Sequence, residues 1–418
     1  MAQLVAPESR LSTSSTTTIP EQPQPSAAAV PKGSRRSASP QVSPERVNDF
    51  VKEILGDDVH ATRVLSFSRG VVGVVHAAAL GIHAIGRGMA DALGLHPKHA
   101  IKQVDRLLSN TGITVWVWFT SWVLFVVAAR QDLVVALDWT EFDADDQATI
   151  AMYLVTSHGR ATPLLWKTVW KSALKNRRSE YETELIERLH EILPKRVNVT
   201  LLADRGFADQ KLFAYLDVLG WSYAIRFRQI IHVTHHDRTL PAREWVPIGG
   251  QAKMLRDVLI TADKTSIPAV VFKHQKGMKE AWCIATNRVD LGGAGVIKLY
   301  ARRFTIEETF RDIKDNHFGM GLSATHIGFP QRRDRLLLMA AMAQALLTLL
   351  GAAGEACGLD RMLKANTVKT RTMSLYRQGC CWYRAIPMMP QERLIQLMNT
   401  FGELVSSHAA FRDIFGLI

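Results

Sequence analysis

Apolar positions follow two periods along this chain, and the change between them marks out its parts. From residue 131 the pattern is that of strands. LVVALDWTEF, QATIAMYLVTSHG and ATPLLWKTVWKS are three apolar runs, the last two separated by a turn at Gly159. A charged helical segment, NRRSEYETELIERLHEIL, comes next, followed by the strand NVTLLADRGF, the helix DQKLFAYLDVLG and the strand WSYAIRFR. The predicted order is three strands, helix, strand, helix, strand. Short β-like runs (IIHVTHH, REWVPIG, MLRDVLITA, IPAVVFKH and EAWCIATNR) then fill a β-rich insertion over 229–295. The segment LYARRFTIEETFRDIKDNHFGM at 299–320 returns to helical spacing.

Helical periodicity also governs both flanks, 46–130 and 336–418, so the chain divides into a helical region, a core over 131–335 interrupted by the insertion, and a second helical region. Within the first, GMADALGLHPKHAIKQVDRLLSN reads as a helix, a break at Gly94 and a helix opening at Pro97 that carries Lys98, Lys102 and Arg106. That is the pattern of a helix-turn-helix that binds DNA, and any packed helical hairpin shares it. Residues 1–45, rich in Ser, Thr, Pro and Ala, cannot supply a core and are expected to be disordered, with no signal peptide. The apolar runs 113–129 and 336–353 contain Thr114, Thr120 and Ser121, and Gln344 and Thr348. At or below bilayer-spanning length, they read as buried helices rather than membrane spans.

Charge adds a partner. The chain of 418 residues carries 51 Lys and Arg against 39 Asp and Glu, a net +12, which points first to nucleic acid. Cys283, Cys357, Cys380 and Cys381 have neither disulfide nor zinc spacing, which fits a reducing cytoplasm. Acids add the chemistry. Asp138 ends the first predicted strand and Asp204 the fourth, and in a ribonuclease H-like α/β fold, whose strand order this is, those strands are neighbours and the two carboxylates converge. On the helix after the insertion, taken at about 100° per residue with Arg303 as zero, Glu307 falls at about 40°, Lys314 at about 20° and Tyr300 at about 60°. One narrow face therefore carries an acid, two cations and a tyrosine. Glu308 lies about 100° further round.

The spacing Tyr300, Arg303, Glu307, Lys314 matches at all four positions the Tyr-Arg-Glu-Lys signature of DDE transposases of the insertion-sequence-four type. ALDWTEF and LLADRGF resemble that family's first two acidic motifs, and the β-rich insertion lies where the family has one. The resemblance spans roughly residues 60–360. It implies a bacterial or archaeal cytoplasmic enzyme that cuts double-stranded DNA at the ends of an insertion element and joins them to a target, acting as a homodimer on DNA. Asp138, Asp204 and Glu307 would hold two divalent ions, Mg²⁺ or Mn²⁺, and Tyr300, Arg303 and Lys314 would contact phosphates. Carboxylates plus substrate phosphate are what such ions require. Where related transposases form hairpin ends, an insertion aromatic stacks on a flipped base, and Trp245 and Trp282 are the candidates here.

Several neighbours carry weaker expectations. Trp139 and Thr140 would shape the pocket or the core. Arg205 would touch phosphate or form a structural ion pair. Lys167, Lys171, Lys175, Arg177 and Arg178 form a basic run suited to a DNA backbone or to a solvated face. His232, His235 and His236 lack acidic or cysteine partners at ligand spacing. A metal-dependent nuclease on the same fold and a non-cutting DNA-binding regulator are the competing readings. Three acids at a metal argue against the regulator.

Overall fold

In a computed structural model of the chain, residues 42–56, 59–156, 159–315 and 319–406 are described. Nearly all of the tail expected to be disordered lies outside them. Five helices come first: α1 (Pro44–Leu55), α2 (Ala61–Ala77), α3 (Ile82–Leu93), α4 (Pro97–Ser109) and α5 (Val115–Val127). Gly94 closes α3 in the left-handed region (φ 64°), a conformation open to glycine at little cost, and His96 caps α4 by accepting from Lys98 N–H. The break and restart read from the sequence are therefore the cap of one helix and the cap of the next.

The core follows as β1 (Asp132–Phe142), β2 (Gln147–Leu154), β3 (Thr162–Trp170), α6 (Arg178–Ile192), β4 (Asn198–Ala203), α7 (Gln210–Val218) and β5 (Ser222–Arg226). The strands take the order β3-β2-β1-β4-β5, with β1, β4 and β5 parallel and β1 to β3 antiparallel. This is the ribonuclease H-like α/β arrangement expected. β2 is buried along its whole length, which explains an apolar run without alternation.

The insertion supplies β6 (His232–His235), β7 (Arg238–Pro241), β8 (Lys253–Ile260), β9 (Thr265–Lys273) and β10 (Trp282–Thr286). These strands extend the core sheet. β10 pairs antiparallel with β5, making one ten-stranded sheet. REWVPIG, expected as a strand, is instead mostly a short 3-10 turn over Ala242–Trp245 between Pro241 and Pro247.

The helix expected over 299–320 is two helices, α8 (Gly292–Ala301) and α9 (Phe304–Lys314). At Arg302 and Arg303 the backbone stays in the right-handed region, but its bonds shorten to i→i+3: Arg303 N–H donates to Tyr300 O (3.0 Å) and Ile306 N–H to Arg303 O (3.0 Å). That tighter turn resets the angular phase between Tyr300 and the rest of the stripe.

α10 (Pro330–Ala356) starts at Pro330 and crosses the expected 335/336 boundary, so one element belongs to both core and C-terminal region. At 27 residues it is longer than the apolar run suggested and is long and apolar enough to cross a bilayer, yet 89% of its apolar window is buried within the protein. It packs against β3, α2 and α4, and against α11 (Leu375–Ala385) and α12 (Gln391–Val405). The approach of α10 to α11 is backbone-close: a Cβ at Gly379 would lie 1.7 Å from Leu347 O, and one at Gly351 would lie 1.9 Å from Leu375 O.

Candidate active site

The parallel register of the sheet brings the first two acids together. Leu137 pairs with Ala203 and Ala203 with Ile225, so Asp138, Asp204 and Arg226 stand one step further along in adjacent strands. Residues at one register point to one face, about 4.8 Å apart. Asp204 is the residue just past the end of β4, where it caps the short 3-10 turn that follows. Asp138 does not end β1: the strand continues to Phe142 because β2 pairs with it that far, whereas β4 stops at Ala203. Asp138 thus leaves the sheet's parallel half but not the strand.

α9 delivers the third acid. Arg303 donates to Asp138 Oδ2 at 3.2 Å and to Glu307 Oε1 at 2.6 Å, so one guanidinium links sheet and helix. Arg303 is 5% exposed, and its Nε has no hydrogen-bond partner among the described residues. Burial opposes its charge, but Tyr300, Asp138 and Glu307 outweigh burial and raise its pKa. Burial likewise pushes Asp138 up to about 6; Arg303 and Trp139 N–H oppose this, while Asp204 and Glu307 add to it. The three carboxylates therefore sense one another. Glu308 is turned away, paired with Arg311 at 3.0 Å.

Tyr300 and Lys314 are not an open stripe, which corrects the single-helix expectation. Tyr300 is 1% exposed, lies edge-on to Trp282 (5.1 Å) and has its hydroxyl pKa raised by burial, so it remains a donor. Lys314 donates to Thr140 Oγ1 (3.1 Å) and Glu141 O (2.8 Å) and sits 4.8 Å from the Phe142 ring. Its ammonium pins the end of α9 to the end of β1.

Neighbouring expectations divide. Trp139 donates through Nε1 to Glu182 at 2.9 Å, a packing role. Arg205 pairs with Glu280 at 2.8 Å. Lys167, Lys171, Arg177 and Arg178 all pair with carboxylates: Glu184; Glu141 and Asp143; Glu180; and Glu141. The basic run is thus largely neutralised from within. Trp245 is buried and its Nε1 donates to Val233 O, whereas Trp282 is half-buried and stacked on Phe304 at 5.8 Å. Sequence reasoning missed the clamp behind α9, in which Arg160 Nε meets Asp312 Oδ2 at 2.5 Å and Thr309 Oγ1 accepts from Ala161 N–H and donates to Ala161 O. An ion pair between residues 152 apart has no local signal.

Three hard oxygen donors from β1, β4 and α9 suit a divalent ion of the Mg²⁺ type. In the present arrangement Arg303 stands among them, and among the described residues no three His, Cys, Asp or Glu side chains are grouped to hold a metal ion. The strand order and the flanking helices together define an α/β protein of the ribonuclease H-like class. A family model described as the transposase DDE domain matches residues 130–346, from β1 into α10 and so across all three acids. The chain belongs to the DDE transposase family, whose members are enzymes of DNA cleavage and transfer that use divalent metal ions. No curated protein matches it.

Proposed function

We propose that this chain is a cut-and-paste transposase of the insertion-sequence-four type. In this reading it binds the ends of an insertion element, cleaves them and joins them to target DNA, as a homodimer assembled on DNA. The observation that carries the reading is the register row Asp138–Asp204 with Glu307 tied to it through Arg303. Asp138, Asp204 and Glu307 are the proposed ligands of two divalent ions, Mg²⁺ or Mn²⁺. When bound, these ions activate an attacking oxygen and stabilise a leaving one.

The chain's own residues do the rest. Asp138 must give up its proton to serve, and a group titrating at about 6 does so at neutral pH. Arg303, Tyr300 and Lys314 are assigned to the phosphates flanking the scissile bond. Support for this comes from position, since Arg303 lies 2.6 Å from Glu307 and 3.2 Å from Asp138. If the ends pass through a hairpin, Trp282 is the better-placed stacking residue, because it touches Tyr300 and Trp245 is spent on the insertion's own core.

The test is a reaction of purified protein with DNA bearing the element's own ends, a plasmid target and Mg²⁺. It is run for wild type, Asp138→Asn, Asp204→Asn and Glu307→Gln. Cut and joined products from wild type alone, with all variants still binding DNA, are the expected result. Cutting without joining would leave a nuclease, and binding without cleavage under either metal would leave a regulator.

A further inference from the structure

Resting on the transposase reading, we infer that a basic cavity beside Asp204 receives the phosphate backbone of one DNA strand as a single strand leaving the carboxylates. The cavity, about 620 Å³, opens where β5 passes into the insertion, between the 3-10 turn at Ala242–Trp245 and the turn joining β9 to β10. It begins one residue from the site, at Arg205. Arg205 follows Asp204 in sequence, and Arg226 stands beside Asp204 in register.

Charge decides what enters. Glu280, the one carboxylate lining the cavity, is shared by Arg205 (2.8 Å) and Arg226 (2.7 Å). Arg228, Arg243 and Lys279 also line it, are exposed, and have no carboxylate within ion-pair distance among the described residues. This contrasts with the run at 167–178, where four of the five cations are matched by an acid. A concave wall with three uncompensated cations concentrates an anion, and its spread over separate turns suits successive phosphates better than one compact ion.

Ile230 supplies the second observation. It lines the same cavity at 63% exposure, between Gln229 and Ile231 and two residues from Arg228. An exposed apolar side chain among guanidinium groups suits the sugar or unstacked base of a single strand, whereas a duplex hides its bases and would meet only the rim.

The experiment measures binding of the full chain to a fluorescent single-stranded oligonucleotide and to a blunt duplex of the same sequence, by anisotropy across a salt series. Wild type is compared with the triple variant Arg228→Ala/Arg243→Ala/Lys279→Ala and with Ile230→Ser. The three cations are exposed, so the fold should be retained, as a matching thermal melt would verify. The expected result is at least a tenfold loss of single-strand affinity in the triple variant. Its slope of log K against log salt should be shallower by roughly 2, at about 0.7 for each phosphate left unneutralised. Ile230→Ser should weaken single-strand binding with the slope unchanged. Unaltered single-strand affinity and slope in the triple variant, with wild type binding DNA normally, would overturn the cavity assignment and leave the transposase reading intact. An equal loss for duplex and single strand would also overturn it. Wild type binding neither DNA would bring down the transposase reading itself.

Discussion

Replacing Arg303 by Gln should separate what the arginine does for stability from what a metal ion does at the same carboxylates. The side chain is 5% exposed and makes two charged hydrogen bonds, to Asp138 at 3.2 Å and Glu307 at 2.6 Å. Asp138 is 22% exposed, so losing its partner leaves a mostly buried carboxylate uncompensated, a cost of about 2–3 kcal/mol. Glu307 is 47% exposed and water screens it, so its share is roughly 0.5 kcal/mol. The sum, about 3 kcal/mol, should appear as a lower urea midpoint in EDTA. Saturating Mg²⁺ should then stabilise the variant more than wild type, because the ion supplies the charge the arginine supplied and no longer competes with it. Equal Mg²⁺ increments in the two proteins would refute the idea that arginine and metal address the same oxygens. An undiminished midpoint in EDTA would refute the energetic reading of the bridge.

Three further outcomes are expected. Lys314→Ala should cost about 2 kcal/mol from two hydrogen bonds and the packing on Phe142; weakened DNA binding with an unchanged denaturation midpoint would show that the tie to β1 is not structural. Gly379→Ala should destabilise by about 2–4 kcal/mol, since its Cβ would sit 1.7 Å from Leu347 O, and an unchanged thermal midpoint would disprove that close approach. Asp334, whose side chain accepts from Thr168 N–H at 3.0 Å, has its pKa pushed up to about 7 by burial. The folded value lies above the unfolded one, so its stabilising contribution is full below the ordinary carboxylate range and is lost as pH rises toward 7. Asp334→Asn keeps the acceptor and removes the titration. Its stability relative to wild type should therefore improve from about pH 4 to about pH 7, by roughly 1–2 kcal/mol once the residue's partial exposure is discounted. A flat difference across that range would sink the argument.

The core was readable because each strand of β1 to β5 announces itself through its apolar run, and because an acid at a strand's end is a local signal. Asp204 lies one residue past the strand it was expected to end. Asp138 was placed on the right strand but at the wrong point along it, since how far β1 runs depends on its pairing with β2 rather than on its own residues. The same limit explains the stripe. Helical spacing aligned Tyr300 with Glu307, but the tightened turn at Arg302 and Arg303 arises where Arg303 reaches Asp138, a partner 165 residues away. The continuation of the core sheet into β10 is likewise a pairing that no property of 229–295 alone predicts.

Counting cations misled in the same way, and the correction is physical. The run from Lys167 to Arg178 is the denser basic stretch in sequence, yet the fold gives it Glu141, Asp143, Glu180 and Glu184, so little net charge is left to attract a phosphate. Arg228, Arg243 and Lys279 lie 15 and 36 residues apart, too far to register as a cluster, and the insertion folds them around one cavity with a single, already shared carboxylate. Association with a polyanion is driven by counterions released from charge the protein has not neutralised itself. The excess of +12 should therefore be felt where cations lack acidic partners rather than where they are most numerous, which places the strand on the insertion side of Asp204.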